Sequence, residues 1–222
     1  EAISLERAAM AGVVRPGAEV DALVCELAGC LRSLVDQLAE MGHEVLRMAE
    51  KKLDAAKAKG AKVVISSPQW LNKNKHYDDT QIETAIATVF GVDTDLIEDG
   101  TYFVAESDGV LVGCGGWSKR KTLFGGDQYS TRDAGYLDPA TEPAKIRAFF
   151  IHPDHARKGI ARAILARCEE EARAYGFREL ELAATLPGVE FYKSCGFSER
   201  GTFDLDLVEG VKLELVPMRK EI

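Results

Sequence analysis

The stretch IHPDHARKGIARAILARCEE, residues 151–170, decides the fold because it joins a strand to a helix through a basic turn. The run KIRAFFIHP, residues 145–153, leads into this stretch and has the pattern of a strand. The positions after it that repeat at helical spacing are apolar, namely Ile160, Ile164, Leu165 and Cys168. A helix that only packs would begin with a capping residue and an acidic first turn. This helix begins with Arg157, Lys158 and Gly159, and Gly176 is its predicted end.

The basic turn predicts an anion-binding site, most simply one for phosphate. Amides at the start of a helix point outward, and the helix dipole adds partial positive charge to them. Arg157 and Lys158 add full charges, and Gly159 allows a ligand to approach the backbone closely. A solvated turn with two surface cations is the alternative, which the strand–turn–helix context makes the weaker interpretation. Neither the P-loop pattern GxxxxGKS/T nor the dinucleotide pattern GxGxxG occurs.

The patterns around this helix predict further strands. One strand spans about 145–153 before the helix, and ELELAAT at 179–185 is a strand after it. This order predicts a parallel pair of strands with a right-handed crossover. Two strand-like runs at 101–117 flank the Asp-Gly pair at 108–109, which is a strong signal for a hairpin. Residues 203–218 have the pattern of a last hairpin.

The chain divides near residue 76 into two regions of different character. Residues 1–75 are mainly helical by pattern, with one helix predicted over about 20–41 and a second over about 43–59. Residues 76–222 mix strands and helices, and the first of these helices begins at a capping box formed by Thr80 and Glu83. An N-terminal helical segment followed by a mixed core is therefore the predicted domain organisation.

Charge and cysteine content exclude several classes of protein. A formal net charge of −8 and a pI near 5.2 argue against a general binder of nucleic acids or of anionic membranes. Five cysteines without close spacing form no disulfide framework, and no His or Cys cluster predicts a metal site. Neither a signal peptide nor an apolar run long enough to span a bilayer occurs, so the cytoplasm is the expected compartment.

Two segments carry a resemblance to a known family. FFIHPDHARKGIARAIL, residues 149–165, resembles the signature of the GNAT superfamily of acyl-CoA-dependent N-acetyltransferases: a strand, His-Pro, Arg or Gln, two residues, Gly, one residue, and Gly or Ala. ATLPGVEFYKSCGF, residues 184–197, is similar to the family's second segment, in which Phe-Tyr precedes Gly-Phe. The resemblance covers roughly 76–222. It implies an α/β (α+β) fold with a mixed, mostly antiparallel central sheet, a splayed parallel strand pair and flanking helices, here with an extended helical N-terminal segment.

The resemblance implies that acetyl-CoA lies in the gap between the splayed strands, without a metal ion. Its pyrophosphate would rest on the backbone amides of five residues, namely Arg157, Lys158, Gly159, Ile160 and Ala161. One position departs from the family pattern, because the leading Arg or Gln of the signature is Ala156 here. One side-chain contact is therefore missing, while the backbone amides are retained.

The strand before the basic turn carries an irregularity. Four successive apolar residues at 148–151 break strand alternation, which predicts a β-bulge, and the family has one at this place. By resemblance, the amide of Phe149 faces the thioester oxygen, and the amide of Ile151 faces the pantetheine arm. The two side chains are also expected to serve the core, because amides and side chains of a strand can act separately.

Attack of an amine on a thioester needs a neutral amine, a donor for the developing oxyanion and a proton for the departing thiolate. Tyr192 matches the position of the family's usual acid, and its alternative role is a half-buried aromatic on a short helix. No carboxylate carries over as the base, since Lys145 and Arg147 occupy the strand where the family commonly has one. Four other residues are candidates, each with a structural role as its alternative: Asp127, Asp133, Glu142 and His152.

The favoured function is transfer of an acetyl group from acetyl-CoA to a primary amine of a small molecule in a ternary complex. The alternatives are an acetyltransferase acting on a protein or on aminoacyl-tRNA, and a non-catalytic acyl-CoA sensor. The acidic balance does not favour tRNA, so neither a nucleic acid nor a membrane is an expected partner. The loop 118–139 is long enough to be functional and is placed by resemblance on the acceptor side.

The N-terminal region has two interpretations. Residues 12–35 resemble the family's first strand and helix, which would make 42–75 an insertion used for packing or dimerisation. In the other interpretation, 1–75 is a separate helical module. Residues 67–79 are polar and turn-like, which predicts a connector to the core. A homodimer is therefore among the expected assemblies.

Overall fold

One mixed sheet organises the described part of the chain, which comprises residues 51–52, 76–91, 93–107, 110–133 and 135–222 of a computed structural model. The strands are β1 Lys51–Lys52, β2 Tyr102–Ser107, β3 Val110–Ser118, β4 Ala144–Ile151, β5 Glu179–Thr185, β6 Ser198–Glu199, β7 Phe203–Asp206 and β8 Lys212–Glu221. The helices are α1 Asp79–Thr88, α2 Thr94–Glu98, α3 Ile160–Tyr175 and α4 Val189–Ser194. Within these residues the strand order is β1-β2-β3-β4-β5-β8-β6, and β7 also pairs with β8.

The centre of the sheet contains a parallel pair that separates. Strands β4 and β5 are parallel and are in register at two positions, Ala144 with Leu180 and Lys145 with Glu181. Beyond these positions β4 continues along β3, whereas β5 continues along β8, and both of those pairings are antiparallel. The predicted mostly antiparallel sheet with a splayed parallel pair is confirmed. The splay matters because it leaves one edge of each strand unpaired where the strands diverge.

The predicted β-bulge in β4 is also confirmed. Cys114 pairs with Phe150 and Gly116 pairs with Arg147, so three steps along β4 match two along β3. The extra residue is accommodated at Ala148, whose φ of 53° lies in the left-handed region. A non-glycine residue rarely adopts this conformation, and such strained positions concentrate at functional sites.

Glycines in β3 make room for the large side chains of the bulged strand. A Cβ atom on Gly115 would lie 2.4 Å from the ring of Phe149. A Cβ atom on Gly113 would lie 2.8 Å from side-chain atoms of both Ile151 and Ile160. Gly113 and Gly115 are therefore required by the packing of β4 and the start of α3 on one face of the sheet, whereas a Cβ atom on Gly116 would meet the Thr101 carbonyl at 2.7 Å.

The two faces of the sheet carry different helices. Helices α3 and α4 pack on one face over a core that includes Phe103, Ile146, Ile164 and Leu182. Helices α1 and α2 belong to the other face, whose two clusters contain Leu96, Tyr102, Ile82 and Leu215. No helix in the described ranges is long and apolar enough to cross a membrane.

Two local predictions are wrong. The capping box of helix α1 consists of Asp78 and Gln81, and not of Thr80 and Glu83 as predicted. The Asp78 carboxylate accepts a hydrogen bond from the Gln81 amide at 2.7 Å, so the helix begins earlier than predicted. Lys51–Lys52 form a strand with β2, although they fall inside the helix predicted over 43–59. Pairing with a sheet edge here overrides helical propensity, which is a weak preference.

The remaining predictions for the N-terminal region fall outside the described residues. They include the strand and helix at 12–35, the insertion at 42–75 apart from β1, and the mainly helical character of 1–75. The domain boundary near residue 76 and a role of this region in a homodimer therefore stay predictions.

Candidate functional site

A cleft of about 1130 Å³ opens where β4 and β5 diverge. On the face that carries α3 and α4, its lining includes Ile160 and Tyr192. On the opposite face, its lining includes Phe90 at the end of α1, Phe124 in the loop 118–139 and Leu215 in β8. The cleft thus connects both faces of the sheet, and two molecules entering from opposite faces could meet at the bulge of β4.

The first end of the cleft is the start of helix α3. Gly159 is the N-cap with a φ of 85°, no side chain caps the helix, and the first turn contains no acidic residue. Arg157 also has a positive φ, 65°, although it is not a glycine. The amides of the first turn have no intrahelical acceptor and carry the positive end of the helix dipole. This backbone is arranged for an anion.

The structure brings most of the predicted cofactor residues to the cleft. Seven residues were predicted to bind cofactor, and six of them line it, namely Phe149, Ile151, Arg157, Gly159, Ile160 and Ala161. Lys158 is exposed beside them and does not line the cleft. We therefore expect Lys158 to favour anion binding through its charge and not by forming part of the wall of the cleft.

The edge of β4 supplies a backbone donor to the gap. The amide of His152 donates to the carbonyl of Val112 in β3 at 2.9 Å. Because successive residues of a strand direct their amides to opposite edges, the amide of Ile151 faces away from β3 and toward the cleft. Phe149 lies at the bulge, and its ring contacts the ring of Tyr192 with centroids 6.3 Å apart.

Tyr192 lies on α4 and lines the cleft while its side chain is almost entirely buried. Its ring also packs edge-on against Phe191 and Phe197. Burial raises the pKa of Tyr192 well above its ordinary value, and the nearby thiols of Cys168 and Cys195 act in the same direction. The hydroxyl therefore keeps its proton throughout the ordinary pH range and is a donor rather than a base.

None of the four candidate bases lines the cleft. Each accepts a hydrogen bond from a nearby backbone amide instead. The Thr94 amide donates to Asp127 at 2.7 Å and the Asp138 amide donates to Glu142 at 2.8 Å. The Gly135 amide donates to Asp133 at 2.8 Å and the Asp154 amide donates to His152 at 3.2 Å. These contacts agree with the structural role given to each residue as its alternative.

Sequence reasoning missed four titratable residues of the cleft, namely Arg147, His155, Arg162 and Glu190. His155 belongs to the short turn that leads into α3, two residues before Arg157. Its position directly before the basic turn could have identified it. Glu190 is highly exposed on α4 and pairs with Lys193 at 3.2 Å. Nothing in its sequence context distinguishes it from a surface residue.

Sequence reasoning also missed a buried network of charges on the face that carries α1 and α2. Arg147 forms an ion pair with Asp93, and both side chains are almost fully buried. Arg132 pairs with the same carboxylate at 2.7 Å, while Arg120 pairs with Asp99 at 2.8 Å. Burial lowers the pKa of Arg147, and the charge of Asp93 opposes this shift. The network ties β4 to the start of α2 and to the loop 118–139.

A second ion pair closes the narrow end of the gap. Lys145 in β4 pairs with Glu181 in β5 at the last position where the two strands are in register. Arg219 in β8 donates to the same carboxylate at 3.0 Å. Burial tends to raise the pKa of Glu181, but the hydrogen bonds and charges of Lys145 and Arg219 outweigh it and the pKa is lowered. The divergence of β4 and β5 thus begins at a three-strand ionic clamp.

Comparison with known proteins agrees with this geometry. The model of the acetyltransferase (GNAT) family matches residues 65–197 of the chain. No curated protein matches the sequence.

Three solved structures resemble the chain in fold. A GCN5-related N-acetyltransferase from Rhodopseudomonas palustris is 16% identical with a TM-score of 0.56, covering 78% of this chain and 94% of its own. YncA from Salmonella typhimurium, solved with its cofactor acetyl-CoA, is 18% identical with a TM-score of 0.51, covering 77% and 91%. A ribosomal-protein-alanine N-acetyltransferase from Brucella melitensis is 18% identical with a TM-score of 0.50, covering 78% and 98%.

Proposed function

The chain belongs to the GNAT family of acetyltransferases, and on that premise we propose that it transfers an acetyl group from acetyl-CoA to a primary amine of a small molecule. The amine attacks directly in a ternary complex: its nitrogen forms the bond to the acetyl carbon, and the carbon–sulfur bond breaks. One observation carries the proposal, namely that a single cleft joins the uncapped basic start of α3 to the bulge of β4 and to Tyr192.

The start of α3 fits a pyrophosphate. Gly159 carries no side chain, and apart from its chain neighbours no described residue lies within 4 Å of the position that its Cβ would occupy. The amides of Ile160 and Ala161 follow it in the first turn, and Arg157 adds a full charge beside them. The acetyl-CoA held in YncA supports the same class of ligand here. Bound acetyl-CoA would supply the activated thioester.

The chain's own groups then serve the charges that develop during transfer. An amide of the bulge at Phe149 donates to the oxygen on which negative charge develops, a role for which a preorganised backbone donor is suited. Tyr192 provides the proton that the departing sulfur takes up. Its hydroxyl is protonated over the ordinary pH range, and because a raised pKa makes it a weaker acid, the transfer depends on its position in the cleft. Since none of the four candidate bases lines the cleft, the amine enters in its neutral form, and the proton that its nitrogen loses as the amide forms returns to the Tyr192 oxygen.

A pair of variants at Gly159 tests the phosphate site. Gly159→Glu places a carboxylate where the pyrophosphate is proposed to bind, and we expect calorimetry to detect no binding of acetyl-CoA. The φ of 85° also strains any residue other than glycine, so the matched control is Gly159→Asn, since asparagine tolerates this conformation. We expect the Asn variant to retain most of the affinity. Unchanged affinity in the Glu variant would contradict the proposed site.

Two alternatives remain proposals for the same fold. The Brucella neighbour acts on a protein, which is the observation in favour of a protein acceptor. An acyl-CoA sensor would bind acetyl-CoA without turnover. A screen of small amines, with release of free CoA thiol as the readout, separates the main proposal from both alternatives: turnover with a small amine supports the main proposal, while binding without any turnover supports a sensor or a macromolecular acceptor.

A further inference from the structure

The end of the cleft on the face of α1 is where an acceptor would enter, and its walls are mostly apolar. Phe90 packs edge-on against Phe150, with ring centroids 6.2 Å apart. Phe124 contacts the rings of Tyr129 and Phe203, with centroids 5.2 Å and 5.9 Å away. These two partly buried phenylalanines form the walls together with Val89 and Leu215. We call this part of the cleft the acceptor end.

Backbone contacts fix the walls of the acceptor end in place. The amide of Gly126 donates to the carbonyl of Val89 at 2.7 Å, which attaches the loop 118–139 to the end of α1. The side chain of Gln128 donates to the carbonyl of Phe90 and, at 3.3 Å, to that of Ile86. A Cβ on Gly91 would lie 2.7 Å from the Gln128 side chain, so this junction is closely packed. The aromatic walls are therefore preformed.

Arg147 is the charged side chain at the acceptor end, and all its polar atoms are donors. Its Nη2 atom binds Asp93, its Nη1 atom donates to the carbonyl of Thr122 at 3.0 Å, and its buried Nε has no partner among the described residues. An ammonium group on a substrate is also only a donor, so it gains no hydrogen bond from this guanidinium.

The nearby carboxylates are already neutralised. Asp93 is shared by Arg147 and Arg132, and Asp99 is bound by Arg120 and, at 3.5 Å, by Lys119. None of these carboxylates lines the cleft. Glu190 is the one carboxylate of the described residues that lines the cleft, but it lies on α4, on the opposite face of the sheet, and pairs with Lys193. At the acceptor end, a second positive charge on an acceptor would therefore lose its hydration and find no counter-ion among the described residues.

We infer that the acceptor is a primary amine on an uncharged apolar body, of which an arylalkylamine or alkylamine is the simplest form, and not a polyamine or another polycation. The apolar body lies between Phe90 and Phe124, and the reacting amine points toward the bulge of β4. This inference rests on the proposed function and names the substrate class of the same site.

A matched pair of amines tests the inference. Heptylamine and hexamethylenediamine have the same chain length and differ by a methyl group in place of a second ammonium. With the full chain and saturating acetyl-CoA, we expect kcat/KM to be at least about tenfold higher for heptylamine, which corresponds to about 1.4 kcal/mol. Phenethylamine should also be a substrate. Equal or faster turnover of the diamine would overturn the inference.

A second test introduces a negative charge into the walls of the acceptor end. Phe124→Glu supplies the missing counter-ion, so the ratio of kcat/KM for the diamine to that for heptylamine should rise by about tenfold. Val208→Glu adds the same charge at an exposed position outside the cleft and should leave the ratio unchanged. Phe90→Asp repeats the test from the opposite wall if Phe124→Glu lacks a cooperative thermal transition. An unchanged ratio in a folded wall variant would overturn the inference.

Calorimetry with acetyl-CoA distinguishes failure of the inferred acceptor class from failure of the proposed function. Binding of acetyl-CoA without turnover of either amine would overturn the acceptor class and leave the donor site intact. Absence of acetyl-CoA binding by the wild-type chain would overturn the proposed function and the inference together.

Discussion

The two ends of the cleft handle charge in opposite ways. At the start of α3, Arg157 and Lys158 are exposed beside backbone amides that no side chain caps, so positive charge is available to a ligand. At the acceptor end, Arg147 is buried and already paired with Asp93, so its charge is compensated before any ligand arrives. The start of α3 is therefore suited to an anion, and the acceptor end is suited to select its ligand by shape and apolar contact.

This difference shows which interactions at each end are expected to be functional and which structural. Exposed cations near a helix start contribute little to folding but steer an anionic ligand. A buried ion pair contributes little net stability, yet removal of one partner leaves an uncompensated charge in the interior. Variants at the start of α3 should therefore change the affinity for acetyl-CoA, and variants in the Arg147–Asp93 pair should change the free energy of unfolding.

The largest expected effect is that of Tyr192→Phe on the rate. If the hydroxyl supplies the proton to the departing sulfur, its loss should lower kcat by about 10²–10⁴. The ring stays, so affinity for acetyl-CoA and thermal stability should change little. Because burial raises the pKa of Tyr192 above its ordinary value, loss of activity through its ionisation should begin only above about pH 10. Tyr175→Phe, at an exposed ring, is the control. A kcat within a few-fold of wild type would show that Tyr192 is not the acid.

Removal of the buried cation comes next. Arg147→Met should lower the free energy of unfolding by about 3–5 kcal/mol, since among the described residues Asp93 would keep only Arg132 as an ion-pair partner. Arg157→Met at the other end should change it by no more than about 0.5 kcal/mol. Urea unfolding measures both values. The double variant Asp93→Asn with Arg147→Met should recover part of the loss, and comparable costs for Arg147→Met and Arg157→Met would break the contrast between the two ends.

The end of the cleft at α3 could be predicted from the sequence because it is built from local features. The end of a strand, a turn with Gly159 and the first turn of a helix lie within about ten residues of one another. The backbone of these three elements forms the site. The acceptor end depends on contacts between residues far apart in the chain, such as Arg147 with Asp93 and Gln128 with Phe90. Periodicity and short motifs carry no signal for such pairs. For the same reason the sequence does not identify Arg147 as a residue of the acceptor end.

Tyr77 illustrates the same limit. The connector 67–79 is polar and turn-like by pattern, yet the Tyr77 side chain is buried in the core on the face of α1. Its hydroxyl accepts from the Leu186 amide at 2.9 Å and donates to the Glu214 carbonyl at 2.7 Å. It therefore bridges the end of β5 to β8, beside the acceptor end. A single buried tyrosine in a polar segment gives no periodic signal.

Tyr77→Phe should therefore have a moderate effect on stability. The variant leaves a backbone amide and a carbonyl without their partner, which costs about 1–3 kcal/mol. Burial raises the pKa of Tyr77 to about 12, so this contribution should not change between pH 6 and about pH 9. Thermal unfolding at several pH values measures it, with Tyr136→Phe at an exposed ring as the control. A loss equal to that of the control would show that the bridge does not hold the end of β5.

The smallest expected effect concerns the ionic clamp of Lys145, Glu181 and Arg219 at the narrow end of the gap. The pKa of Glu181 is lowered in the folded chain, so its contribution to stability is present above the unfolded value of about 4.5 and is lost as the pH falls through the lower folded value. Because the carboxylate is partly exposed and solvent screens it, the contribution should be no more than about 1 kcal/mol.

Glu181→Gln should therefore lower the unfolding temperature at pH 7, and the difference from wild type should shrink between about pH 5 and pH 3. Glu199→Gln, at an exposed pair with Lys193, is the matched control and should show a smaller difference at every pH. A difference for Glu181→Gln that stays constant across this range would mean that the side chain acts by packing, and that the divergence of β4 and β5 does not depend on charge.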